Sequence, residues 1–223
     1  MNLRRLTNGD LDLRRIHSQY DASDMGRADE DKSNFRQRLL DALEEAIAED
    51  GYPRTTVADI VRRARTSRRT FYEHFDSREA CFVALLTEAN AEQVRQISAA
   101  VDANAPWRSQ VRQAIEAWIS SGESRSSLML SWIRDGPSLG AAAHRLQRDA
   151  MENFIEMVQA LGDTGEFRAA GVGPVSRQRM IMLLGGLREL TAITVEEGGH
   201  MSDVTEEAVD ASIALLAPRS DPD

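Results

Sequence analysis

Two nine-residue segments, 56–64 and 67–75, each open on a hydroxyl side chain and are separated by only two residues. Thr56 is placed to cap the first, with Asp59 at its third helical position, close to a capping box. Ser67 is placed to cap the second. Val57, Ile60, Val61 and Ala64 form one apolar side of the first segment, and Phe71 and Phe75 stand i,i+4 in the second. A longer period-3.6 stripe precedes them, Phe35, Leu39, Leu43, Ala46 and Ile47, with Ser33 as its cap and Gly51 as its stop. Three helices in this order, the last two short and joined by a tight turn, predict a helix-turn-helix braced by the helix before it.

The second helix of such a unit enters the major groove of DNA with its N-terminal part toward the base edges. Nine residues span about 13 Å, comparable to the roughly 12 Å width of that groove. With Phe71 and Phe75 anchored inward, Arg68, Arg69, Tyr72 and His74 fall on the outer side. The local charge agrees. The chain has 223 residues and a formal net charge of -9, yet segment 54–78 holds seven arginines against Asp59, Glu73 and Asp76, a balance of +4. Such an island on an acidic body fits either local anion binding or a solvated helix face.

The remainder reads as helical. Only 6 prolines are present, and no strand-length alternation of β-branched and polar residues occurs. A fresh helix start at Asp76 or Ser77 leads into a helix through the 90s. "PWRSQVRQAIEAWISSG" carries Val111, Ile115, Trp118 and Ile119 on one face, and "SSLMLSWIRDG" is a shorter helix closed by Gly136. A long stripe from about Ser138 includes Leu146, Ala150, Phe154 and Met157. "GDTGEFRAAGVGP" (162–174) reads as a Gly-rich loop, followed by helices at 174–197 and 204–216. The expectation is an all-α chain of about nine helices: a mostly disordered extension over 1–32, a helix-turn-helix domain over 33–80, a helical body over 81–217 and a tail over 218–223.

Several functions are disfavoured. The lone cysteine, Cys81, cannot form an internal disulfide and reads as a small buried hydrophobe. No Ser-His-Asp set, metal cluster or phosphate loop stands out; His17, His74, His144 and His200 are scattered, and "GVGP" follows no strand. No catalytic residue, metal or cofactor is expected. The apolar stretch "MIMLLGGL" (180–187) is too short to cross a bilayer, and no N-terminal apolar run marks a signal peptide. The expected setting is cytoplasmic, without membrane contact.

The stretch "TTVADIVRRARTSRRTFYEHFDSREACFVAL" resembles the DNA-binding region of TetR-family transcriptional repressors. The family pattern is met by Thr56, Ile60, Ala64, Ser67, Thr70, Phe71, Tyr72, His74, Phe75, Ser77, Glu79 and Ala80, over about 45 residues at 33–80. The resemblance implies phosphate contacts from Thr56 and Tyr72, and from Arg78 where the family usually has Lys. It places Thr66, Ser67, Arg68, Arg69 and Thr70 toward bases or nearby phosphates, with His74 beside them. Arg68 or Arg69 could read a guanine through its bidentate fork. Two positions depart from the pattern. Arg65 stands where the family usually has Gly, so either the turn differs locally or Arg65 adds a phosphate contact. Arg69 stands where the family often has a small residue, which would alter the base sequence read.

The resemblance further implies a ligand-binding and dimerisation body, a homodimer, a palindromic operator on double-stranded DNA, and a small-molecule effector that releases it. The expected dimer stripes are Met180, Leu183, Leu184, Leu187 and Leu190 on one helix and Val204, Ala208, Ala211 and Leu215 on the next. Trp107, Trp118, Met129, Trp132, Met151, Phe154 and Met157 are candidates for an adaptable, largely apolar effector pocket, with Arg188 as a polar contact. A helix-turn-helix regulator without small-molecule response, acting as an activator or through protein partners, is the alternative.

Overall fold

Each short helix of the N-terminal unit is held at both ends by the chemistry of its own sequence. The computed structural model describes residues 33–162, 165–173 and 175–218. The expected 1–32 extension, Pro174 at the expected start of a late helix, and residues 219–223 of the expected tail lie outside the described residues. Helix α1 covers 33–50 and stops at Gly51, whose φ of 76° with ψ of 154° is accessible to glycine alone. A single 3₁₀ turn, Tyr52–Arg54, leads to α2, Val57–Arg63. Its capping box is complete: the Asp59 amide donates to Thr56 Oγ1, and the Thr56 amide donates to Asp59 Oδ2 at 3.1 Å. Helix α3, Arg68–His74, starts from Ser67, whose hydroxyl accepts from the Thr70 amide at 3.1 Å. Helix α4, Arg78–Ala100, is capped in the same way by Ser77.

Between α2 and α3 the chain keeps the left-handed turn although no glycine is present. Arg65 adopts φ 51°. The Arg65 amide donates to the Arg62 carbonyl and the Thr66 amide to the Val61 carbonyl at 2.9 Å, the paired closure of a Schellman motif. Arg38 from α1 reaches across to the Ala64 carbonyl and satisfies another free acceptor. Of the two alternatives for Arg65, the turn has kept its geometry, at a backbone cost of about 1 kcal/mol for a residue with a Cβ.

The body comprises α5 (Trp107–Glu123), α6 (Ser126–Arg134), α7 (Ala141–Gly162), α8 (Gly165–Ala169), α9 (Arg177–Glu196) and α10 (Thr205–Leu216), with 3₁₀ turns at Gly136–Ser138 and Met201–Val204. That makes ten α-helices and no strand among the described residues, one helix more than expected. The addition is α8, inside the segment read as a Gly-rich loop. It exists because Phe167 is buried against Trp107, ring centroids 5.9 Å apart.

Two apolar cores result. The first joins α1–α4 around Leu39, Leu43, Phe71, Phe75 and Phe82, and it extends into the body through Leu128 of α6 and Leu146 of α7. The second fills the body around Trp118, Phe154, Met180, Leu187 and Val209. Cys81 is fully buried in the first core, and burial pushes its thiol up to about 12, so it behaves as a hydrophobe. Charged clasps tie the elements together. Arg36 pairs with Glu88 between α1 and α4, and Arg125, just before α6, holds both oxygens of Glu44 on α1 at 2.5 Å. Arg134 of α6 grips Glu189 and Glu196 on α9 at 2.6 to 3.0 Å.

Candidate functional site

Helix α3 is pinned on one side and open on the other. Phe71 is fully buried and Phe75 nearly so. Tyr72 packs edge-on against Phe71, with centroids 5.3 Å apart, yet the residue remains 56% exposed. Ser67, Arg68 and Arg69 are exposed, while Thr66, Thr70 and His74 are half-buried. Thr56 is exposed at the start of α2 and Arg65 is exposed in the turn. These residues therefore share the outer side of α2, the turn and α3.

The seven arginines of segment 54–78 are not equivalent. Arg54 donates to the Asp50 carbonyl, Arg62 pairs with Asp59 and Arg63 with Glu49, and Arg69 makes an i,i+4 pair with Glu73 at 3.0 Å. The bonds from Thr56 and Arg62 hold the Asp59 carboxyl below its usual range. Arg65 and Arg68 make no side-chain hydrogen bond or ion pair with any described residue. Two exposed cations thus flank the start of α3 without a partner among the described residues.

Arg78, expected to reach phosphate from the start of α4, is half-buried and engaged within the chain. Its Nη1 donates to the Thr55 carbonyl at 2.6 Å, its Nη2 meets Glu79 at 3.3 Å, and its guanidinium lies 4.3 Å from the centroid of the Tyr52 ring. Tyr52 in turn stacks on Phe82 at 4.0 Å, and burial pushes its hydroxyl up to about 12. Arg78 is the clasp that holds the segment leading into Thr56.

A cavity of about 110 Å³ lies among α4, α5, α6, α7 and α9. Six of the proposed pocket residues line it: Trp118, Met129, Trp132, Met151, Phe154 and Arg188. Two do not. Trp107 is buried against Phe167, and Met157 sits on a separate, shallow groove between α4 and α7. Residues missed in the sequence complete the wall, notably Glu92, Gln93, Arg125, Leu128 and Leu184. Gly122 belongs to it because a Cβ there would come within 2.8 Å of the Met129 methyl and 2.5 Å of the Met201 methyl.

The expected dimer stripes divide. Met180, Leu183, Leu187 and Ala208 are buried within the chain's own core, and Leu184 is half-buried and lines the cavity. Leu190, Val204 and Leu215 are half-buried and Ala211 is exposed. The opposite face of α9 is the apolar one left open. Four large hydrophobic residues are exposed among the described residues, and three of them, Ile181, Met182 and Ile193, are on this helix. Gly185 and Gly186 lie between them, also exposed, and nothing in the chain lies within 4 Å of a Cβ built on either.

Among the described residues no helix is long and apolar enough to cross a membrane, and no cluster of metal-ligating side chains occurs. Residues 39–85 match the family described as "Bacterial regulatory proteins, tetR family". No curated protein sequence matches the chain. Solved structures do. The fatty acid degradation regulator FadR of Bacillus halodurans aligns with a TM-score of 0.66 at 17% identity, over 81% of this chain and 94% of that one. FadR of Bacillus subtilis, solved in complex with stearoyl-CoA, aligns at 0.67 and 15% identity, over 82% and 99%. A putative TetR-family regulator from Syntrophomonas wolfei aligns at 0.68 and 15% identity, over 85% and 99%. Residues 39–85 thus resemble the tetR family of bacterial regulatory proteins, and the chain as a whole shares the fold of these solved regulators.

Proposed function

We propose that the chain is a ligand-responsive transcriptional repressor that works in the cytoplasm, binds a palindromic operator as a homodimer, and is released by a small effector. The observation that carries this reading is the outer side of α3. Arg68, Arg69 and Tyr72 are exposed on a helix pinned by Phe71, with Arg65 and Thr56 beside them. Rigid backing matters because base reading needs side chains held in register with the groove. Arg65 and Arg68, without partners among the described residues, are the cations to neutralise phosphate or read a guanine. Residues 33–80 form the DNA-binding unit and 81–217 the effector and dimer body.

The open face of α9, with Ile181, Met182 and Ile193, is the surface for a second copy, joined by Ala211 of α10. An isologous pair would set two recognition helices about 34 Å apart, one helical turn of DNA. Two contacts couple the cavity to the DNA-binding unit. Leu128 is part of the cavity wall and of the core around α1–α4, and Arg125 lines the cavity while holding Glu44 on α1. An effector that shifts either one changes how α1–α3 sit on the body, and the operator lowers effector affinity by the same factor.

The test is a footprint on the DNA upstream of the protein's own gene. Two protected half-sites about 10 base pairs apart, lost steeply as salt rises, are expected. A single unsymmetrical site, or binding that ignores salt, would sink the proposal.

A further inference from the structure

The reading of the cavity as the effector site leaves the effector's chemistry open, and the charged groups on the cavity wall bear on it. There are three, Glu92, Arg125 and Arg188. Glu92 is engaged by Arg95 at 2.6 Å and by Gln96 at 2.8 Å. Arg125 is held by both oxygens of Glu44. Arg188, from the middle of α9, has no side-chain hydrogen bond or ion pair with any described residue. The acid next to it, Glu189, is held at both oxygens by Arg134, at 2.9 and 3.0 Å.

Arg188 is also half-buried, and that desolvation lowers its pKa. A guanidinium nevertheless stays charged in a protein. Glu189 acts on Arg188 only at a distance, being held by Arg134, so no hydrogen-bonded counter-ion among the described residues offsets the burial, and a bound anion would supply one. The remaining wall is mostly apolar, with Trp118, Leu128, Met129, Met151, Phe154 and Leu184. Its volume of about 110 Å³ is near that of the ~150 Å³ hydrophobic cavity that accepts benzene. Met129 and Met151 give the wall room to adapt.

We propose that the effector is a compact amphipathic monocarboxylate, its apolar body among the tryptophans and methionines and its carboxylate received by Arg188. One unpaired cation matches one negative charge, and the planar guanidinium fork suits a carboxylate. This rests on the cavity being the effector site.

The experiment uses the full chain and four probes: benzoate and octanoate, and their neutral counterparts benzamide and octanamide. Binding is read by calorimetry and by the fluorescence of Trp118 and Trp132, which line the cavity. In the wild type, at least one acid should bind about tenfold tighter than its amide, the scale of a charge-assisted pair. Arg188→Met should remove that preference, and Arg188→Lys should keep part of it. Amides that bind the wild type as tightly as the acids would overturn the carboxylate while leaving the cavity as the site. The same holds if the acid preference survives in Arg188→Met. Failure of all four probes to bind would overturn the carboxylate and the cavity together.

Discussion

At the scale of single residues, Arg65 and Arg78 differ in where their side chains go, one exposed in a turn and the other bonded within the chain. Arg65 sits in a strained left-handed turn that glycine would occupy without cost, and its side chain is exposed beside the recognition helix. Strain of this kind is retained where function needs the side chain. Arg65→Gly is expected to raise stability by up to about 1 kcal/mol, less the extra freedom of glycine in the unfolded chain. The same change should weaken operator binding and lower the salt slope by about one. Denaturant melts and shift assays at several salt concentrations check both halves. Arg78→Ala should lower stability instead. Loss of the bond to the buried Thr55 carbonyl should cost about 1–2 kcal/mol of stability. Operator binding should weaken through the displaced Thr56 segment with an unchanged salt slope, whereas a slope that falls by one would mean a direct phosphate contact. The identity of both residues was plain in the sequence. The role of Arg78 was not, because the carbonyls it reaches lie 23 and 26 positions earlier in the chain, and their direction depends on how the 3₁₀ turn packs.

At the scale of elements, caps and periodicity carried most of the information. Thr56, Ser67 and Ser77 cap the helices they were expected to cap, and the stripes of α1–α3 became the first core. Helix α8 escaped because five residues between glycines carry no repeat, and Phe167 makes a helix there only by finding Trp107. Helix α9 shows a different limit. Met180, Leu183 and Leu187 form a regular stripe, but a stripe reads the same whether it meets its own core or another copy. The informative sign was that Ile181 and Met182 make α9 apolar on a second side too. Helix α9 is also fixed by charge. Hydrogen bonds from Arg134 hold the Glu189 and Glu196 carboxyls below their ordinary values. Groups lowered in this way support the fold above their unfolded pKa and cease to do so as pH falls through the folded one. Melting temperature should therefore hold from pH 7 to about 5 and drop below about 4.5, and Arg134→Met should lower the plateau and make the acid drop shallower. An equally steep drop in that variant would remove the clasp from the account.

At the scale of the whole molecule, the fold class and the DNA-binding unit were legible because local signals and the family pattern coincide over one compact stretch. The cavity was half legible. Trp118, Met129, Trp132, Met151 and Phe154 come together as expected, whereas Leu128 and Arg125 carry no such signal and Leu184 reads as part of a dimer stripe. The proposed assembly has its own test. Met182, 57% exposed on the open α9 face, belongs to neither core among the described residues. Met182→Arg should leave the melting curve of the chain within about 0.5 kcal/mol, as surface changes usually do, while shifting sedimentation to the single chain and abolishing shared occupancy of two half-sites. A variant that still sediments as a pair would move the interface elsewhere.

The double membership of Leu128 has a consequence for how such a protein can diversify. On the proposed reading, a substitution at Leu128 that suits a different effector also disturbs the core shared with α1–α4, so new specificity gained there would arrive with altered operator binding. Met151 and Phe154 line the same cavity but belong to or border only the second core. Drift toward new small molecules has its freer path on the α7 side, where the wall can be rewritten without retuning the switch.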